Sequence, residues 1–133
     1  MIVRKFTIFL LLSIVSFIFS DIALAETTLS VEAAVIATGV ENLTPMGVAD
    51  KFPANTGRLY CYSKIIGGGE GSSIKHIWYY GDKKVDEIIL SIKSSSFRTY
   101  SYKTISSDWT GKWKVEIVAD DGTILKTLEF VIE

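Results

Sequence analysis

Ile74-Lys75-His76-Ile77-Trp78-Tyr79-Tyr80 runs apolar and aromatic into Gly81-Asp82-Lys83-Lys84, and is answered by Val85-Asp86-Glu87-Ile88-Ile89-Leu90-Ser91-Ile92. Two β-prone runs about a polar, glycine-bearing turn predict a β-hairpin. Trp78 is the bulkiest group in the densest part of the chain, and burying a side chain of about 200 Å² requires a layer on each side of it. This stretch therefore predicts a two-layer β-protein with Trp78 pointing inward.

Outward from the hairpin the chain keeps the punctuation of an all-β protein. Strands are predicted over residues 29–38, 58–66, 97–104, 112–119 and 123–132, beside the two hairpin arms. Residues 41–57 hold both prolines, Pro45 and Pro53, and read as a turn-rich linker. Asp120-Asp121-Gly122 is a hairpin turn signal. Seven strands and no convincing helix predict a seven-stranded, antiparallel, immunoglobulin-like sandwich with Trp78 on the third strand. A small barrel is the alternative, because strand pattern alone does not separate closure from sandwiching.

Residues 1–25 stand apart. Arg4 and Lys5 precede an apolar core over residues 6–19, and Ala23-Leu24-Ala25 has the small-x-small form of a cleavage site. This predicts a secretory signal peptide, cleaved to leave Glu26 first. The apolar core is shorter than the roughly 20 residues a spanning helix needs. Residues 26–133 are then one domain, periplasmic or secreted, with no membrane attachment after cleavage. Without Arg4, Lys5 and Asp21 the charge count is 12 basic and 14 acidic, a net of −2, which does not point to nucleic acid. Cys61 is the only cysteine. With no second thiol in the chain and no nearby histidine to activate it, it reads as a small buried hydrophobe.

Chemical motifs are scarce. Gly67-Gly68-Gly69-Glu70-Gly71 lacks the Gly-Lys-Ser or Gly-Lys-Thr ending of a phosphate loop, and a strand follows it where a helix is required. It reads as a flexible strand connection. His76, the sole histidine, has no acidic residue at ligand spacing and reads as a structural residue beside Trp78. No nucleophile elbow or Ser-x-x-Lys motif is present. Asp86-Glu87 and Asp120-Asp121 are a solvated face and a turn. No catalytic residue, metal ligand or cofactor is expected.

The suggestive set is aromatic. In a sandwich of this type the second and fifth predicted strands are neighbours, which brings Tyr60 and Tyr62 beside Arg98, Tyr100 and Tyr102. With Leu59, Cys61 and Phe97 facing the core, the four tyrosines and the arginine form one outer surface suited to sugar rings, peptide segments or another protein. That parity gives the core a thin lining at Thr99 and Ser101. With the opposite parity the tyrosines pack inward, hydroxyls at the sheet edge. Both parities stand open at this point.

His76-Ile77-Trp78-Tyr79-Tyr80, Arg98-Thr99-Tyr100-Ser101-Tyr102-Lys103, Gly111-Lys112-Trp113-Lys114-Val115, and Asp121-Gly122 with Leu125 and Phe130 resemble an uncharacterised bacterial family, domain of unknown function 2914. The similarity spans about residues 35–131. It implies a small domain found behind a signal or attached to other envelope segments, and it supplies no activity or substrate. The functional expectation is a non-enzymatic binding or interaction module of the bacterial envelope, with an envelope protein or glycan as partner. The alternatives are an envelope enzyme acting on glycan or peptide through Arg98, His76 and a carboxylate, or a structural spacer.

Overall fold

The opening stretch forms a β-hairpin in the computed structural model, which describes residues 27–133. Its arms pair from Ser72 opposite Ile92 to Tyr80 opposite Lys83. The turn is tighter than the four residues expected: Gly81 and Asp82 alone make it, with Gly81 at φ 57°. Along the first arm Ile74, His76 and Trp78 are buried, while Lys75, Ile77 and Tyr79 are half-buried on the opposite face. This is the two-residue period of a strand with one face on a core.

Nine strands run in chain order: β1 (Ser30–Glu41), β2 (Thr44–Val48), β3 (Lys51–Phe52), β4 (Arg58–Ile66), β5 (Ser72–Tyr80), β6 (Lys83–Ile92), β7 (Ser96–Thr104), β8 (Gly111–Ala119) and β9 (Ile124–Ile132). The described residues contain no helix. One sheet has the order β2-β1-β4-β7, the other β3-β9-β8-β5-β6. The all-β expectation holds, with two corrections. Among the described residues there are nine strands, not seven, and the second sheet is mixed, because β3 runs parallel to β9.

Both extra strands come from the segment read as linker. Glu41 pairs with Thr44 across Asn42 and Leu43, which sit at φ 48° and 57°. Positive φ at both central residues is the type I′ hairpin geometry that glycine normally signals. Asn42 tolerates that conformation, but Leu43 stands where glycine is usual, so the sequence signals a turn here without signalling a tight hairpin. Pro45 is accommodated because β2 is an edge strand, where a missing N–H breaks no ladder. In β3, Lys51 lies beside Val131 and Phe52 beside Ile132. Phe52 is buried with its ring edge-on to Phe130 at 6.1 Å.

The inner faces of the two sheets share the core. Ile36, Leu59 and Cys61 from the first sheet pack with Trp78, Trp113, Val115, Phe130 and Ile132 from the second. Trp78 meets Phe130 edge-on at 6.2 Å, and Phe130 stacks on Trp113 at 5.9 Å. At the other end Leu29, Ile65, Ile74, Ile92, Ile117 and Ala119 form a second cluster. The glycine-rich connection is pinned there. Gly67 N–H donates to the Ser95 carbonyl at 2.9 Å, and Thr28 Oγ1 donates to the Gly67 carbonyl at 3.0 Å. Residues 1–25, read from the sequence as a signal peptide, lie outside the described residues.

Candidate functional site

The surface predicted from the tyrosines is built by β4 and β7. They pair without a shift over nine registers, from Arg58 opposite Thr104 to Ile66 opposite Ser96. Tyr60 thus faces Tyr102, Tyr62 faces Tyr100 and Lys64 faces Arg98. Leu59, Cys61, Ser63 and Ile65 are buried on the inner side, so the four tyrosines and Arg98 point outward. Of the two parities, the outward one holds. The thin lining at Ser101 is no defect, because its hydroxyl binds polar partners between the sheets.

Tyr60 sits at the centre of the outer cluster, its ring centroid 5.8 Å from that of Tyr100 and 5.8 Å from that of Tyr102, tilted by 58° and 50°. The Arg58 guanidinium lies over the Tyr102 ring at 4.3 Å, a cation–π contact that strand pattern does not single out. Tyr100 and Tyr102 remain 39% and 50% exposed. Tyr62 differs from its neighbours: it faces outward yet is only 7% exposed, and Ala37, in the same outer row opposite Tyr60, is fully covered.

The cover is the β1–β2 hairpin. β1 stops pairing with β4 after Ala37. Continued straight, Leu43 would lie about 20 Å beyond that row, at roughly 3.3 Å per residue. Arg98 lies four residues the other way along β7. Arg98 Nη1 nevertheless donates to the Leu43 carbonyl at 3.4 Å. The hairpin must therefore fold back across the outer face. The open part of the cluster is thus Tyr60, Tyr100, Tyr102, Arg58 and Arg98, and Tyr62 is part of its support.

Between the sheets lies a polar bridge. His76 Nε2 is 2.9 Å from Ser63 Oγ, His76 Nδ1 is 2.7 Å from Ser101 Oγ, and Trp78 Nε1–H donates to Ser101 Oγ at 3.1 Å. Burial pushes the imidazole down to about 4, so it is neutral near pH 7 and one ring nitrogen accepts while the other donates. Ser63, Ser101 and Trp78 are as inaccessible to a substrate as the imidazole itself. His76 is the satisfied structural residue expected from sequence. Cys61 is likewise buried, and burial raises its thiol to about 12, far from a reactive thiolate.

The constellation required by the enzymatic alternative is not assembled. Arg98 is on the outer face of the first sheet and His76 is on its inner side. Asp86 is 3.7 Å from Lys103, and Glu87 is 3.1 Å from Lys84 and 3.8 Å from Lys75. Among the described residues no three His, Cys, Asp or Glu side chains converge in a metal-binding group.

Two features escape a reading of the sequence. Tyr80, Trp109 and Trp113 form a second aromatic cluster, with centroids 5.0 to 6.0 Å apart, tied by Trp113 Nε1–H to the Trp109 carbonyl at 3.0 Å and by Tyr80 O–H to the Thr110 carbonyl at 2.6 Å. Only the aromatic content of Asp108-Trp109-Thr110 hints at it. A groove of about 540 Å³ opens on the second sheet between β3, β8, β9 and the β5–β6 turn. Lys51, Asp82, Lys112, Lys114 and Glu129 line it with mixed charge, and its walls hold no histidine, cysteine or hydroxyl side chain.

Fold and surface together define a two-sheet β-protein that displays a tyrosine and arginine cluster on one outer face. Residues 71–132, covering β5 to β9, match the family described as protein of unknown function (DUF2914). The resemblance visible in the sequence therefore holds over these five strands, and the match begins at residue 71, not near residue 35. No curated protein matches the chain.

Proposed function

We propose that this protein is an exported, non-enzymatic interaction module of the bacterial envelope with an immunoglobulin-like fold, and that it binds a protein partner through the outer face of β4 and β7. The single observation that carries this reading is the cluster of exposed Tyr100, Tyr102, Arg58 and Arg98 around the half-buried Tyr60, residue types that dominate binding hot spots. The mutual tilt of the rings favours an irregular protein surface over the flat face of a sugar ring. The immunoglobulin-like assignment draws on the order β1-β4-β7 against β9-β8-β5-β6, with Trp78 as the plug between them.

The test compares pull-downs from envelope extract by the purified protein and by its Tyr60→Ser/Tyr102→Ser variant, beside co-sedimentation with isolated cell-wall glycan. Loss of one defined protein band at an unchanged melting temperature supports the reading. Sedimentation with the glycan, lost in the variant, replaces the protein partner by a glycan. Equal behaviour of variant and parent in both assays overturns it. Tyr62→Ser serves as the contrast, because its burial under the hairpin makes it lower the melting temperature by itself.

A further inference from the structure

Among the described residues four strands end the two sheets: β2 and β7 in one, β3 and β6 in the other. A free edge presents a row of unpaired N–H and C=O groups, and proteins blunt such edges unless they are used. Three of the four are blunted. β2 is five residues long and contains Pro45. β3 has two residues. β6 is bulged beside Trp78 and Tyr79, and carries Lys83, Lys84, Asp86 and Glu87. β7 is nine residues long, has neither proline nor glycine, and its ladder to β4 is unbroken. Its one inward charge, Lys103, is met by Asp86 of β6 at 3.7 Å.

We propose that β7 is a homodimerisation edge, two copies of the chain pairing β7 to β7 antiparallel about Tyr100 to make one continuous eight-stranded sheet. The occupant is argued from β7 itself, whose side chains are self-complementary in this register. All nine residues find a partner, Ser96 meeting Thr104 of the second copy. On the outer face Tyr100 meets Tyr100, and Arg98 meets Tyr102. On the inner face Lys103 meets Phe97 and Thr99 meets Ser101. Both cations of the strand thus face aromatic rings.

Other registers that keep each side chain on its own face do worse. Centred on Arg98, the pairing sets that cation against itself, and like charges directly opposite repel. Centred on Thr99 or Ser101, it keeps only residues 96–102 or 98–104 in the ladder, and the second of these leaves both cations without an aromatic partner. Aromatic pairs across strands are among the stabilising ones. The dimer joins the two tyrosine clusters on one face. A single strand pair is smaller than the roughly 1,600 Å² of a standard interface, so the association is weak and concentration-dependent.

This rests on the backbone edge and not on the ligand assigned to the cluster. Sedimentation velocity of the purified protein from micromolar to near-millimolar concentration is expected to show a shift from monomer to dimer. Tyr100→Lys places two ammonium groups face to face on the symmetry axis and is expected to stay monomeric throughout, with the melting temperature of the dilute protein retained. Tyr100→Cys is expected to cross-link under mild oxidation, since the native Cys61 is fully buried, while Tyr102→Cys, which faces Arg98 of the second copy, is not. A parent protein that remains monomeric at every concentration overturns the proposal. So does a Tyr100→Lys variant that dimerises like the parent, or equal cross-linking at both cysteine positions.

Discussion

His76 gives the molecule its pH signature. In the unfolded chain its imidazole takes up a proton near 6.5, whereas in the folded protein burial holds it neutral down to about 4. Below 6.5 the unfolded state therefore binds the extra proton, so stability is full above that pH and declines as pH falls from 6.5 to 4. The loss amounts to about 3 kcal/mol, since each tenfold difference in proton affinity between the two states is worth about 1.4 kcal/mol. Urea unfolding across this window should show the decline, and His76→Gln should flatten it. An unchanged slope in the variant would mean that other groups carry it. The sequence marks His76 as structural because nothing around it is spaced as a ligand. It does not reveal the two serines that hold the ring, which are 13 and 25 residues away.

At the scale of elements, strand arms are legible because alternation and turn residues are local signals, and the connections are less so. The Gly67–Gly71 stretch looks like slack between strands, yet two of its glycines are required by close approach. Gly67 has φ +85°, and a Cβ there would run into the Thr28 carbonyl; a Cβ on Gly68 would run into Ile92. Gly71 has φ +82° but faces open space. Gly71→Ala should therefore cost only the left-handed backbone strain, about 1 kcal/mol, and Gly67→Ala about 2–3 kcal/mol. Thermal melts of the two variants check the ranking, and equal losses would show that the contact with Thr28 relaxes freely. The β1–β2 hairpin is more weakly signalled, since Asn42 tolerates positive φ but Leu43 holds it without being glycine. Beyond its turn it is held by Arg98 of β7, whose Nη1 donates to the Leu43 carbonyl.

For the whole molecule, the proposed export makes a prediction of its own: cleavage after Ala25 would leave an exported protein beginning at Glu26, and its intact mass should lack residues 1–25. A full-length chain in the membrane fraction would instead make the segment an anchor. Within residues 27–133 the amino-acid sequence by itself determined the all-β class, the seven strands it predicted, the inward Trp78 and the neighbourhood of β4 and β7. The first three follow from period-two patterning and turn residues, and the last from the strand order of the sandwich type they predicted. Tertiary structure alone decided the two further strands, the parallel β3–β9 contact and the parity of the tyrosines. Parity was decided across the sheets, where Ser63 and Ser101 are needed inside to satisfy His76 and the indole of Trp78. The same holds for Tyr62: its residue type and strand position match those of Tyr100, and only the hairpin folded above it makes one buried and the other exposed. Burial depends on what lies overhead, and that comes from chain distant in sequence.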